Sequence, residues 1–464
     1  MRTSYLLFLV AGFGCSGSED TGSNPADADT DTDADTDTDS GGDTAMEMPE
    51  VFGQIAALDG VTVLSTYQTT DGVTAIDLTL HQPVNHEDPE GPGFEQAMTL
   101  RHADFAAPMV LLSSGYENYW GSYPDDITLA LSANQIAMDK RYHGTSLPEG
   151  DVDWTTLNVE QIAADNHHIV ETFAALYGGA WVNTGGSAGD LDSLSARMLY
   201  PDDYAGTVVL STPIMRSLAD DRAQSLFSDL VDQECEAKLE AIQVAMLTPQ
   251  GEGGLWEPIV EAMVSEDPDG LYTYEQVGSM EQALRYTAQE LVWDFWQFYG
   301  SAEDCAAVPD AGTDPDDAVA FAVEIAYLAG WPLFCDDDLE SMGPWYYQVS
   351  HQLGYIGFPN DQLVGLLAPE DVPVTALIPE GAGVPAFEAN STALESWLLN
   401  GADGVVLIYG ERDPFGAFRI DVTDATGEVD LFVSPDTNHN AFVSTLTTED
   451  ATTLRSRLEA WTGR

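Results

Sequence analysis

Trp181-Val182-Asn183-Thr184-Gly185-Gly186-Ser187-Ala188-Gly189-Asp190 decides how the rest of the chain is read. A short apolar run, a G-x-S-x-G and a helix-like segment predict a strand, a tight turn and a helix. That is the nucleophile elbow, which holds a serine hydroxyl above the edge of a sheet. Gly185 and Gly189 suit it, because a side chain at either would collide with a neighbouring strand or helix and glycine accepts unusual dihedrals. Gly, Ser and Ala are also common loop residues, so the motif alone reads equally well as an ordinary turn. The test is whether the chain supplies an acid, a base and an oxyanion hole in the right order.

It does so late in the sequence. The apolar run Gly404 to Tyr409 leads into Gly410-Glu411-Arg412-Asp413-Pro414, and Val429 to Val433 leads into Asp436-Thr437-Asn438-His439. Both loops follow apparent parallel strands, at whose carboxyl ends ligands collect in open α/β sheets. The order Ser187, Asp413, His439 is that of the α/β-hydrolase triad. A serine hydroxyl is a poor nucleophile until a base takes its proton. His439 can act as that base near neutral pH, and Asp413 would fix its tautomer and stabilise the imidazolium. Charge developing on the carbonyl oxygen needs preorganised donors. The backbone N–H of Ala188 is one candidate, and Gly115 or Tyr116, after the run Pro108 to Leu112, supplies the other. Singly, Asp413 reads as a turn residue and His439 as an idle loop histidine; together, each after a strand, they read as a working set. His86, His143, His167 and His168 read as solvent-facing or loop hydrogen-bonding residues with no catalytic role.

Alternating patterns extend outward from the elbow. Strands are expected at 61–67 and 73–80, turning at Asp71-Gly72, then at 94–102, 108–112, 135–139, 207–210, 374–378, 404–410 and 429–433. Helices are expected over 157–176, from the elbow to about Tyr200, and over 448–461. This predicts an α/β fold with a mostly parallel central sheet, of α/β-hydrolase type. Its two parts, 47–213 and 371–464, flank an inserted, mainly helical cap at 214–370. The cap's aromatics, among them Trp256, Trp293, Trp296, Trp331, Trp345, Tyr346 and Tyr347, would pack its core and line a substrate pocket.

Of 464 residues, 14 are Lys or Arg and 79 are Asp or Glu, a net charge of −65. Phosphate binding needs a basic face, so nucleic acid is excluded as a partner. Such a surface stays solvated and steers cationic groups, including free peptide amines. Residues 1–14 read as an export signal: Arg2, the apolar Leu6 to Val10, and Gly12-Phe13-Gly14 before Cys15, too short to span a bilayer. The pattern resembles a bacterial lipoprotein signal in which Cys15 becomes the lipidated first residue, although Phe13 departs from the small residue usual there. The expected location is the cell envelope through a lipid anchor, or the medium after plain secretion. Residues 15–46, rich in alternating Asp and Thr, cannot bury enough surface to offset ordering and read as a disordered tether; they lack EF-hand spacing. In an exported protein, Cys235, Cys305 and Cys335 imply one disulfide and one leftover thiol, with the pairing open. No cluster suggests a metal, and no cofactor is expected.

Several stretches together resemble one family. Gln82-Pro83-Val84-Asn85-His86 with Phe94 and Gln96, Ser114-Gly115-Tyr116, Lys140-Arg141-Tyr142-His143-Gly144, and Leu157 to His167 are similar to secreted prolyl tripeptidyl aminopeptidases. So are Thr184 to Gly189, Tyr200-Pro201-Asp202-Asp203 with Gly206-Thr207-Val208, Tyr346-Tyr347-Gln348 with Gln352-Leu353-Gly354-Tyr355, Gly410 to Pro414, and Asn438-His439. The likeness runs from about residue 50 to the C-terminus, with looser echoes of prolyl carboxypeptidases. It implies an α/β-hydrolase domain with a helical cap, and a serine exopeptidase that releases tripeptides, with a prolyl preference, from free N-termini through an acyl-enzyme. Ser187, Asp413 and His439 fall on the family's triad positions. The family's elbow usually reads Gly-Gly-Ser-Lys-Gly-Gly; here Ala188 and Asp190 replace the lysine and the last glycine, altering the charge beside the nucleophile. An esterase or lipase on the same fold, or a catalytically weak surface lipoprotein, are the alternatives. An aminopeptidase also needs a carboxylate for the peptide amine, and 79 acidic residues leave that choice open.

Overall fold

The computed structural model describes residues 50–224 and 232–464, so Cys15, the export signal and the 15–46 tether lie outside the described residues. In chain order the first part forms α1 (Glu50–Ile55), β1 (Val61–Gln68), β2 (Thr74–Pro83), β3 (Gly93–His102), β4 (Met109–Ser113), α2 (Asp126–Leu131) and β5 (Asn134–Met138). It continues with α3 (Val159–Ala174), β6 (Trp181–Gly186), α4 (Ala188–Leu199) and β7 (Gly206–Leu210). After the cap come β8 (Val405–Gly410), β9 (Val429–Ser434) and a C-terminal helix, Thr448–Thr462.

The strands make one sheet in the order β1-β2-β3-β5-β4-β6-β7-β8-β9. β1, β2 and β3 pair antiparallel, as the Asp71-Gly72 turn predicts, and β3 meets β5 antiparallel. From β5 to β9 every pairing is parallel. Every residue of β4, β5 and β8 is buried, which is why β4 and β8 read as nearly continuous apolar runs, while β5 opens on the buried polar Asn134 and Gln135. Alternate residues point to opposite faces. Val110, Val182, Val208 and Val406 pack with Ile127 of α2 and with Leu454 and Leu458 of the C-terminal helix. On the other face, Val209 and Leu407 pack with Ile162 of α3 and Leu191 and Leu194 of α4. A parallel sheet covered by helices on both faces, with a G-x-S-x-G turn between β6 and α4, is the α/β-hydrolase fold.

Between β7 and β8 the chain forms the helices Gln233–Met246, Trp256–Glu266, Met280–Phe298, Ala302–Ala307, Pro315–Ala326, Asp336–Gln348 and Ser391–Asn400. The strand expected at 374–378 does not form; Val374–Ala376 is a single 3-10 turn. β7 pairs directly with β8, so no slot is open to it. Pro369 and Pro373 also lack ladder donors, while Leu377 and Ile378 are buried in the main core. Cys235 pairs with Cys305, their Cα atoms 5.2 Å apart, joining the helix Gln233–Met246 to Ala302–Ala307 across 70 residues. Cys335 is the buried leftover thiol, and burial pushes it up to about 12.

Much of the stretch that carries the family likeness is a buried polar hub. Arg141 is fully buried, with Nε 2.6 Å from Asp165 Oδ2 and a second nitrogen 2.7 Å from Oδ1. It also donates to the carbonyls of Val84 and Thr156. His86 closes on Asp165 Oδ1 at 2.7 Å, and Gln82 bridges Gln96 and the Asp165 carbonyl. Burial alone would raise the Asp165 carboxyl, but Arg141 and His86 hold it below the usual carboxylate range. Arg141→Met would leave a buried carboxylate without its main partner. It is expected to cost about 3–5 kcal/mol, read as a lower denaturation midpoint in urea.

Candidate active site

Ser187 sits at φ 55° and ψ −118°, a left-handed position rarely occupied by a residue with a side chain. Neighbouring backbone holds it there. The Ser187 N–H donates to Leu210 O at 3.0 Å, and the Leu210 N–H donates to Asp190 Oδ1 at 2.9 Å. Elbow and β7 are thus laced together by both polar groups of one residue. The loop after β4 touches the elbow backbone to backbone: a Cβ on Gly189 would stand 2.0 Å from Ser113 O, and one on Gly115, at φ +80°, would stand 2.4 Å from Gly189 N. Asp190 is fully buried, and burial drives its carboxyl well above the usual range, favouring the neutral acid. Of the charge change expected beside Ser187, the part from Asp190 is correspondingly muted, while the lysine replaced by Ala188 is missing outright. What Asp190 adds is an acceptor that pins the helix start to β7.

Asp413 follows β8 and His439 follows β9, two strands paired in parallel. His439 Nδ1 lies 3.2 Å from each Asp413 oxygen, and both side chains are buried. Asp413 Oδ1 also accepts the Phe415 N–H at 3.0 Å, which fixes the carboxylate's orientation. With Nδ1 committed to the carboxylate, Nε2 is left as the ring's basic nitrogen. Gly410 permits the two loops to meet, since a Cβ there would stand 2.1 Å from Asn438 O. The cap helix Met280–Phe298 grips the same loop: the His439 N–H donates to Gln297 O at 3.2 Å, and Asn438 donates to Tyr299 O at 2.8 Å. Ser187, Asp413 and His439 therefore stand at the carboxyl ends of β6, β8 and β9, within four neighbouring strands.

The predicted oxyanion donors differ in availability. Ala188 opens α4, where helical N–H groups have no intrahelical acceptor. The Gly115 N–H is turned toward Ser113 Oγ at 3.3 Å, and the Tyr116 N–H toward Ser114 Oγ at 3.4 Å, both long contacts. Ser113 in turn donates to Asp192 Oδ2 at 3.0 Å, whose other oxygen lies 3.2 Å from the buried Lys140 Nζ. Burial presses Lys140 and Asp192 toward their neutral forms, and their pairing opposes it. This chain of contacts positions the Gly115 loop. The sequence marked Lys140 only as part of a motif; its place at the end of an apolar run was the signal for a buried cation. Tyr116 also contributes something not foreseen: its phenol faces the Ser187 hydroxyl, and burial keeps it protonated and able to donate.

Aromatic rings line the space between these parts. From Tyr116, contacts run to Trp345 at 6.0 Å, on to Tyr355 at 5.9 Å and to Phe358 at 5.7 Å. They continue to Trp293 at 6.1 Å, to Phe415 at 5.0 Å and finally to His439 at 4.8 Å. The circuit leaves Tyr116 and returns at His439, so the cap and the loops after β4, β8 and β9 share one wall.

The family model described as PS-10 peptidase S37 matches residues 50–464. The prolyl tri/tetrapeptidyl aminopeptidase of Streptomyces mobaraensis is 28% identical over 407 residues, covering 84% of this chain and 81% of that protein. Two solved structures are more distant. Proline iminopeptidase from Mycobacterium smegmatis is 13% identical, with a TM-score of 0.36 over 82% of this chain and 97% of that one. Rv0554 from Mycobacterium tuberculosis is 16% identical, with a TM-score of 0.36 over 82% and 97%.

Proposed function

The chain belongs to the PS-10 peptidase S37 family, and on that premise we propose an exported serine exopeptidase that releases tripeptides from free peptide N-termini, with a preference for proline at the cleavage site. The observation that carries this reading is the buried Asp413–His439 pair on the loops after β8 and β9, with a strained serine elbow after β6 of the same parallel sheet. In the proposed cycle, His439 Nε2 takes the Ser187 proton as Oγ attacks the scissile carbonyl. The Ala188 N–H, with a donor from the Gly115–Tyr116 loop, meets the negative charge on the carbonyl oxygen. Collapse of the tetrahedral intermediate breaks the C–N bond, and the imidazolium gives its proton to the departing amine. Water, deprotonated by His439, then cleaves the tripeptidyl ester and restores Ser187. The prolyl and tripeptide details rest on the family likeness and on the named activity of the Streptomyces relative. Export, and anchoring through a lipidated Cys15, rest on the first fifteen residues alone.

A panel of chromogenic amides tests the proposal. Tripeptidyl amides ending in proline are expected to turn over faster than single-residue amides and short-chain esters, and mass spectrometry of a longer peptide should show successive loss of tripeptides. Rapid ester hydrolysis with all amides untouched would instead make it an esterase. Absence of Ser187 labelling by a fluorophosphonate would make it catalytically inert.

A further inference from the structure

The helix Met280–Phe298 brings two carboxylates to the aromatic wall. Glu290 and Asp294 are one turn apart, a spacing at which like charges oppose one another. Glu290 accepts the Tyr355 hydroxyl at 2.6 Å. Asp294 is 7% exposed, and its Oδ2 has no hydrogen-bond partner among the described residues. The charges that act on these groups are acidic: Asp338 on Glu290, and Glu290 on Asp294. Burial raises both carboxyls, Glu290 to about 7 and Asp294 well above its usual range. Asp294 is buried and Glu290 half-buried, and such a pair, with no counter-ion among the described residues, weakens a fold unless something else requires it.

Their placement suggests what does. Trp293, beside Asp294, packs on Phe415, which packs on His439. From the other side, two ring-to-ring steps of 6.0 and 5.9 Å lead from Tyr116, at the nucleophile, to Tyr355, whose hydroxyl holds Glu290. An extended tripeptide reaches about 10 Å, a comparable span. We propose that Glu290 and Asp294 receive the α-ammonium of the substrate's first residue, with Tyr355 orienting Glu290 as a positioning residue. The inference rests on the exopeptidase reading above and adds the recognition element. The incoming cation supplies the missing counter-charge, and the distance from carboxylates to Ser187 sets how many residues are released.

Steady-state kinetics on a tripeptidyl anilide and its N-acetylated twin, with thermal melting alongside, test this for Glu290→Gln and Asp294→Asn. The wild type is expected to favour the free amine. Each variant is expected to lose about 30-fold in kcat/KM on the free-amine substrate, as a lost charge-assisted contact implies, mostly through KM. The free-to-acetylated ratio should collapse toward one, while the melting temperature equals or exceeds the wild-type value, which a merely structural role would not produce. A well-folded variant that keeps the wild-type ratio overturns the inference and leaves the exopeptidase standing, as does a preference that follows a basic side chain rather than the terminus. A wild type that cuts both twins equally, or no amide at all, overturns the exopeptidase reading and this inference together.

Discussion

Replacing Ser187 by alanine is expected to lower kcat on peptide amides by about a million-fold, leaving KM and the melting temperature close to wild type. The reasoning is local. Alanine removes only Oγ, inherits the same φ of 55° and keeps the N–H bond to Leu210, so the elbow loses its nucleophile and nothing else. Residual catalysis should remain about 10³–10⁴-fold above the reaction in water, because the oxyanion donors and the pocket survive. A loss of under a hundredfold, measured with enzyme free of wild-type contamination, would mean that another group attacks the carbonyl.

Asp413→Asn is expected to cost about 10⁴-fold in kcat with little change in fold. The structure shows how. Phe415 N–H requires an oxygen at the Oδ1 position, so the new amide places its NH2 where Oδ2 faces His439. Nδ1 lies 3.2 Å from both positions, but the retained oxygen already accepts the Phe415 N–H while the NH2 can only donate, so the tautomer with its ring proton on Nε2 is favoured. His439 then presents the serine with N–H in place of a lone pair and cannot act as base. The volume is unchanged, and the rings of Phe415 and Phe298 still hold the imidazole. A variant with near-normal kcat would show that the tautomer is fixed by something other than Asp413.

What the sequence made legible was mostly local or ordered along the chain. The hairpin at Asp71-Gly72, the buried parallel strands and the strand–turn–helix at Ser187 are written in periodicity and glycine placement, and they stand where expected. Asp413 and His439 were visible because each directly follows an apolar strand. The strand expected at 374–378 was misplaced because local composition cannot reveal that β7 and β8 already pair. The partner of Cys235 was invisible for a similar reason, since three cysteines allow three pairings and only the packing of two cap helices selects one. Glu290 and Asp294 looked like any of 79 acidic residues. What sets them apart is burial and Tyr355, 65 positions away. Asp190 drew notice as a charge and proved to be a buried acceptor, a distinction that depends on solvent access rather than on residue type.

The clasp between the cap and the His439 loop has a mechanical consequence. Gln297 O holds the His439 backbone, Tyr299 O holds Asn438, and Gly300 O holds Arg412 at 3.1 Å. The cap therefore cannot swing as a free door; a hinge displacement of an ångström at its helix end would tug the imidazole away from a carboxylate already 3.2 Å distant. On the proposed mechanism, admission and turnover then become alternate strokes of one lever, and a long folded polypeptide that propped the cap ajar would meet a histidine drawn out of line rather than a working one.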